Sequence, residues 1–171
     1  MDTFYEQLVT IKNTGKNLAL KVLIWFVAIL ILIVLTLLMG SFGTIVLLLM
    51  AGDIYLAWFL SNKLNVEYEY ILTNGEIDID RITAKRKRKR MLNFKCADVE
   101  RMGKYNPAEH ANISYSKTYF VCNVDENSMF AVVRHKDQGL VLVIFSPNDK
   151  TSEGMKKYLP RQVSRDAFNG N

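Results

Sequence analysis

The hydrophobic pattern changes once along the chain, from a long uncharged region to short alternating segments. Residues 22–52 carry no charged side chain, which is too long for one simple membrane span of about 20 residues. The pattern predicts two helices, at residues 21–38 and 44–60. Residues 39–43 hold two glycines and a serine, which favours a tight reversal between them. We therefore expect a transmembrane helical hairpin over residues 21–61.

Two tryptophans lie at matching positions on either side of this turn. Trp25 precedes it by about as many residues as Trp58 follows it, so an antiparallel hairpin brings both to the same membrane interface, where indoles prefer to lie. Lysines and arginines flank both ends of the hairpin and are missing from its turn. The positive-inside rule then predicts a multi-pass protein of the cell membrane with both termini in the cytoplasm.

Asp53 falls near the middle of the second predicted helix. A carboxylate there costs ~2.5–3.5 kcal/mol on insertion scales, and no lysine or arginine of either span lies at its depth. The alternatives are a proton or ion site and a polar contact between helices or subunits. We favour the polar contact, because one carboxylate in a two-helix hairpin makes a poor ion pathway.

The segment before the hairpin, residues 1–20, is predicted to lie at the membrane interface. Thr3 and Glu6 have the spacing of a helix-capping box, and Phe4 and Leu8 share one helical face. We expect a short interfacial helix, with a frayed polar tail as the alternative.

After the hairpin the hydrophobic period becomes two, which predicts β-strands. Apolar residues alternate with acids over residues 66–80, and Asn74-Gly75 between them is a strong type I′ hairpin signal. About seven short strands are predicted in all. Ser146 is the predicted N-cap of a final helix, followed by a flexible tail at residues 161–171.

Six consecutive basic residues open the third predicted strand, and their +6 exceeds the net charge of +5 for the whole chain. Lysines and arginines alternate there, so they point to opposite faces. A half-buried strand cannot hide three charges, which places the run at an edge. We take this basic run as the candidate lipid- or partner-binding site: Lys85, Arg86, Lys87, Arg88, Lys89 and Arg90.

Four partners for the basic run are weighed. The acids of the two preceding strands could neutralise about half of it, and anionic lipids of the cytoplasmic leaflet attract basic residues at about 1 kcal/mol each. An acidic protein partner is the next alternative. Nucleic acid is the least favoured, because Phe94 is the only nearby aromatic residue and no recognition motif accompanies it.

Seven antiparallel strands followed by one helix form the pleckstrin-homology (PH) architecture. The segments VEYEYILTNGEIDI, KRKRKRML and ADVERM resemble the bacterial PH-like membrane proteins, in which two spans lead into such a domain. The resemblance implies a membrane α-helical hairpin plus a mainly-β cytoplasmic PH-like barrel at residues 65–160. It implies no particular function, because fold alone does not determine one. The acid-flanked Asn74-Gly75 turn also departs from the basic first hairpin of phosphoinositide-binding PH domains.

No catalytic or metal-binding motif is present. Cys96 and Cys122 do not have metal-ligand spacing, and Glu109 and His110 are predicted to form an exposed loop pair. We therefore predict no enzyme activity and no cofactor. The predicted function is a membrane-surface binding or scaffold module. Self-association through the two spans is a further expectation. The alternative is an accessory subunit of a larger membrane assembly, such as a transporter or secretion complex.

Overall fold

A computed structural model describes residues 3–12 and 15–169. The chain forms two compact units. A β-rich unit comprises Met1–Ile11, Glu67–Ile82 and Lys87–Asn171, and a helical unit comprises Lys12–Val66 and Thr83–Arg86.

The helical unit contains two apolar helices, α1 (Gly15–Gly40) and α2 (Gly43–Lys63), as predicted. Gly43 separates them with a non-helical φ of 32° and ψ of −105°, a conformation that glycine tolerates best. Lys21 Nζ donates to Asn65 Oδ1 at 2.7 Å, which brings the outer ends of the two helices together as a hairpin. Only 6% and 11% of their most apolar windows are buried, so these are not core helices, and both are long and apolar enough to cross a membrane.

The first sheet contains four strands in chain order. The predicted hairpin turn is present at Asn74-Gly75, where φ is 48° and 84°, because a type I′ turn needs positive φ at both positions. The strands are β1 (Phe4–Thr10), β2 (Val66–Thr73), β3 (Glu76–Thr83) and β4 (Lys87–Lys95).

The predicted N-terminal interfacial helix is wrong, because residues 4–10 form strand β1. This strand pairs antiparallel with β2, in a register that runs from Phe4↔Thr73 to Thr10↔Glu67. The main-chain N–H of Thr3 donates to Asn74 Oδ1 at 2.9 Å, in place of the predicted helix cap. The helical hairpin is therefore inserted between two paired strands of one sheet.

The second sheet has the order β5-β7-β8-β6, and β6 runs parallel to β8. Over the described residues the domain thus has eight strands in two four-stranded sheets. The predicted mainly-β domain is present, but the predicted barrel of about seven antiparallel strands is wrong in detail: the described residues form eight strands, β6 is parallel to β8, and the two sheets do not close into a barrel. The strands of this sheet are β5 (Val99–Lys104), β6 (Lys117–Phe120), β7 (Met129–His135) and β8 (Gly139–Phe145).

Three further helices are α3 (Pro107–His110), α4 (Asp149–Lys156) and α5 (Arg161–Asn169). The predicted N-cap at Ser146 is wrong: Asn148 caps α4, and its side chain accepts from the N–H of Thr151 at 2.8 Å. The predicted flexible tail is also wrong over 161–169, because α5 packs against β5 and buries Val163 in the core.

The core lies between the two sheets and is closed by α4 and α5. Apolar residues of both sheets share it with Met155 and Leu159. Buried Tyr70 connects the sheets, because its hydroxyl donates to the carbonyl of Val121 at 2.6 Å. The acidic side chains of β2 and β3 lie away from this core, beside the start of β4.

Candidate functional site

The structure divides the basic run between a turn and a strand. Ala84 and Lys85 have positive φ of 54° and 56°, and the N–H of Arg86 closes their turn by donating to Thr83 O at 3.1 Å. Strand β4 then begins at Lys87. The first two basic residues therefore belong to the helical unit and the other four to the β-rich unit.

Arg88 is paired with a buried acid of its own domain. Its Nη2 atom lies 2.9 Å from Oε1 and 2.8 Å from Oε2 of Glu69, whose side chain is only 5% exposed. Burial raises the pKa of Glu69, and the positive charge of Arg88 acts in the opposite direction. The guanidinium therefore helps to keep a buried carboxylate ionised.

Arg90 makes two more internal ion pairs. Its Nη1 atom lies 2.7 Å from Asp78 Oδ1, and its Nε atom lies 2.7 Å from Asp80 Oδ1. The interpretation that the domain's own acids neutralise part of the basic run is confirmed, and the part they neutralise is Arg88 and Arg90.

The three lysines of the run have no such partner. Their side chains are exposed, and over residues 3–12 and 15–169 none of them forms an ion pair. We call this set the lysine row: Lys85, Lys87 and Lys89. The row leaves three uncompensated positive charges within five residues of chain.

Trp25 and Trp58 lie towards the same end of the helical hairpin. Trp25 follows Lys21 by one helical turn, and Trp58 precedes Asn65 by about two turns, while Lys21 and Asn65 are hydrogen-bonded. Both indoles are exposed, and their role as interfacial anchors stays a prediction.

A pocket that the sequence did not predict lies at the end of α2. Its volume is about 380 Å³, and it lies between the last turns of the helix and the turn that opens the basic run. We call it the helix-end pocket. Besides Ala84, its lining residues are Trp58, Phe59, Asn62, Asn65, Lys85 and Arg86. The sequence does place Trp58 and Asn62 on one face of α2, because they are one helical turn apart. Nothing in the local sequence indicates that residues 85 and 86 face them.

Asp53 lines a groove of about 250 Å³ between α1 and α2, and the other lining residues are apolar. Its Oδ2 atom is buried and, within the described part of the chain, has no hydrogen-bond partner. The hairpin by itself therefore does not supply the polar contact predicted for this carboxyl.

His110 is buried rather than exposed, which corrects the predicted loop pair. Its Nδ1 atom lies 2.7 Å from the hydroxyl of Tyr115, and its ring packs 4.4 Å from that of Phe130. Burial, and then the charge of Arg101, lower the pKa of His110. The imidazole is therefore a neutral packing element of the second sheet.

The cysteines are buried free thiols, and burial raises the pKa of Cys96 to about 12. Such a thiol is not a nucleophile at neutral pH. Among the residues that the structure describes, no group of three or more histidine, cysteine, aspartate or glutamate side chains could hold a metal ion.

Comparison with protein families gives one match that spans nearly the whole chain. The family model described as Bacterial PH-like domain (DUF6106) matches residues 1–165. Neither the curated proteins nor the solved structures gave a match. The match includes β1, both apolar helices and the two-sheet domain, so it covers both units of the structure. The chain belongs to the bacterial PH-like domain family DUF6106.

Proposed function

We propose that this chain is a non-enzymatic, membrane-anchored module that contacts anionic lipid of the cytoplasmic leaflet through the lysine row. The observation that carries this proposal is that the arginines and the lysines of the basic run have different surroundings. Arg88 and Arg90 are paired with acids of the domain. The lysines that alternate with them are exposed and, among the residues that the structure describes, have no acidic partner.

The charge of the lysine row is large enough to matter for a tethered domain. Basic residues near an anionic leaflet contribute about 1 kcal/mol each, so the three lysines contribute about 3 kcal/mol. The membrane helices already hold the domain near the surface, which removes most of the entropic cost of association. Because the contact is electrostatic, it weakens as salt rises.

The connectivity supports a multi-pass arrangement with both termini in the cytoplasm. Thr10 and Glu67 are paired in one sheet, so the helical hairpin leaves that sheet and returns to it on the same side of a membrane. Lys12 and Lys16 precede the hairpin and Lys63 ends it, which is the charge pattern of a cytoplasmic side.

The test uses the full chain in lipid nanodiscs. An amine-reactive reagent is applied, and modification of each lysine is followed by mass spectrometry in neutral nanodiscs and in nanodiscs that contain phosphatidylglycerol. We expect Lys87 and Lys89 to be protected only with the anionic lipid and to lose protection at high salt. Lys136 and Lys150 are exposed elsewhere in the domain and serve as internal controls.

Two results would contradict the lipid contact. Equal modification of Lys87 and Lys89 in both nanodiscs would exclude it. Protection in native membranes that is absent from anionic nanodiscs would instead support an accessory subunit whose basic run meets a protein partner.

Asp53 supports self-association of the hairpins as part of this proposal. Asp53 is only half-buried by its own hairpin, and a polar group at membrane depth gains by bonding across a helix interface. We expect the full chain in mild detergent to be a homo-oligomer that Asp53→Leu dissociates and Asp53→Asn preserves. A monomeric native chain, or equal oligomers in all three proteins, would refute this contact.

A further inference from the structure

The helix-end pocket has the size of a small-ligand site. Its volume of about 380 Å³ falls within the range of about 300–1,000 Å³ typical of such sites. One wall comes from the last two turns of α2 and the other from the turn before β4. All of its lining residues belong to the helical unit, so the pocket is a feature of one compact body.

The turn that closes the pocket is strained. Ala84 and Lys85 both adopt the left-handed conformation, which is unfavourable for residues other than glycine. The other tight hairpin of the same sheet, at Asn74-Gly75, uses the two residue types that favour this conformation. The turn before β4 therefore has alanine and lysine at the two positions where asparagine and glycine would be more stable.

Hydrogen bonds hold this strained turn against the helix end. The N–H of Ala84 donates to the carbonyl of Asn65 at 3.0 Å, and the N–H of Asn65 donates to the carbonyl of Asn62 at 3.0 Å. The side-chain oxygen of Asn65 accepts from Lys21 at 2.7 Å. These bonds fix the position of Lys85 relative to α2, so the pocket is preformed.

The chemistry of the pocket favours an anion with several acceptor oxygens. Lys85 and Arg86 line it, and none of the described lining residues carries a carboxylate. The guanidinium of Arg86 lies over the Trp58 ring, with 5.7 Å from Cζ to the ring centroid. Such stacking leaves its N–H groups free at the edge to donate to a phosphate. The Asn62 side chain adds an amide donor.

The pocket is also lined by two aromatic residues of α2. These are Trp58 and Phe59, and Lys63 Nζ lies 4.4 Å from the centroid of the Phe59 ring. Towards Gly43 the surface of α2 is exposed and apolar, as acyl chains require. A ligand that is anionic at one end and apolar at the other fits both surfaces.

We propose that the helix-end pocket binds the headgroup of one anionic phospholipid, with its phosphodiester between Lys85 and Arg86 and its acyl chains along α2. The inference rests on the proposed function, because it needs the end of α2 to lie among lipid headgroups. It differs from the attraction of Lys87 and Lys89 in being a stoichiometric site with a defined ligand.

The experiment uses the full chain in an uncharged detergent, with Trp25→Phe so that Trp58 is the only tryptophan. Trp58 fluorescence is followed during titration with short-chain phosphatidylglycerol, short-chain phosphatidylcholine or inorganic phosphate. We expect a saturable change at one lipid per chain with phosphatidylglycerol and weaker binding of phosphatidylcholine. Saturation by phosphate at the same concentration as the lipid would show a free-anion site and overturn the lipid assignment.

Two variants separate binding from folding. Arg86→Gln removes a charge-assisted hydrogen bond and should weaken phosphatidylglycerol binding about tenfold. The double substitution Ala84→Asn with Lys85→Gly relieves the strained turn, so it should raise the unfolding midpoint while it weakens binding. Weaker binding in a more stable protein cannot come from misfolding. Unchanged affinity in both variants would overturn the proposal.

The lysine-modification assay distinguishes failure of this site from failure of the proposed function. If Lys87 and Lys89 are protected by anionic nanodiscs while Trp58 shows no saturable response, the pocket proposal fails and the proposed function stands. If Trp58 titrates as expected while the two lysines stay equally reactive in both nanodiscs, the pocket stands and the lipid contact of β4 fails. The double substitution Lys136→Gln with Lys150→Gln, remote in sequence from the pocket, is the charge control and should titrate like the native chain.

Discussion

Replacing the arginines of β4 should destabilise the β-domain, whereas replacing the lysines beside them should not. Arg88→Gln leaves Glu69, with a side chain only 5% exposed, without its guanidinium partner. Arg90→Gln leaves Asp80, also 5% exposed, and Asp78 without theirs. The matched controls are Lys87→Gln and Lys89→Gln, which alternate with the arginines on the same strand.

The magnitude follows from the exposure of both partners. A hydrogen bond to a charged group contributes about 1.5–3 kcal/mol when it is well buried. The arginine side chains are 54% and 52% exposed, so solvent screens part of this interaction. We expect about 1–2 kcal/mol of lost unfolding free energy for each arginine, and less than about 0.5 kcal/mol for each lysine. In the double arginine variant the two losses of unfolding free energy need not add, because the acids that the arginines pair with are neighbours.

The cost of Arg88→Gln should also depend on pH. Burial raises the folded-state pKa of Glu69, and Arg88 opposes that rise, so removing Arg88 raises this pKa further. A raised carboxyl pKa lowers stability as pH rises above the unfolded value of about 4.3. The penalty should therefore be largest near neutral pH and should shrink as Glu69 becomes protonated at low pH.

The assay is urea unfolding, followed by far-UV circular dichroism, of a β-domain without the helices. Because Thr10 and Glu67 are paired neighbours, residues 11–66 can be replaced by an Asn-Gly turn that keeps β1 in the sheet. Equal unfolding free energies for the arginine and lysine variants would refute the assignment of the arginines to internal pairing. A penalty for Arg88→Gln that is the same at low and neutral pH would refute the role of Glu69.

Two further predictions concern the packing of this domain. A Cβ at Gly154 would lie 2.5 Å from Leu72 Cδ2 and 2.8 Å from Tyr5 Cδ2. Gly154→Ala should therefore destabilise the domain by ~1–3 kcal/mol in the same urea assay. Equal or higher stability would contradict the close contact of α4 with β1. The second prediction follows from the lowered pKa of His110, caused by burial and then by Arg101. Its contribution to stability should be fully present above the unfolded value of about 6.5 and should be lost as pH falls below it. His110→Phe should reduce the loss of stability as pH falls below about 6.5, and an unchanged profile would refute this origin.

Local sequence patterns were sufficient to predict the two apolar helices and the first β-hairpin. The uncharged segment with its glycine break predicted α1 and α2, and Asn74-Gly75 predicted the β2–β3 turn, because each signal depends only on neighbouring residues. The alternation of lysine and arginine also indicated that about half of the run could be neutralised internally.

The N-terminal strand shows why periodicity can fail. Phe4 and Leu8 are four residues apart, and that spacing places two side chains on one face of either a helix or a strand. The edge of β2 decides between them, and β2 lies more than fifty residues further along the chain. The parallel pairing of β6 with β8 is likewise non-local, so hairpin spacing alone could not predict it.

The helix-end pocket could not be predicted for a related reason. Ala84-Lys85 lacks the asparagine and glycine that mark a type I′ turn, so the run was interpreted as continuous strand. The hydrogen bond between Ala84 and Asn65 and the stacking of Arg86 on Trp58 show that the first two basic residues face the end of α2 rather than extend β4.

The most direct test of the account is vesicle flotation of the Asn-Gly-closed β-domain described above, which has no membrane helices of its own. The native domain is compared with a lysine-row variant, in which Lys85, Lys87 and Lys89 are glutamine, and with a control in which Lys104, Lys136 and Lys150 are glutamine. At low salt the account predicts flotation with phosphatidylglycerol vesicles but not with neutral ones. The lysine-row variant should lose about 100-fold in lipid affinity, and the control should still float. A folded native domain that stays unbound, or a lysine-row variant that floats like the native domain, would contradict the central claim that these lysines attract the domain to anionic lipid.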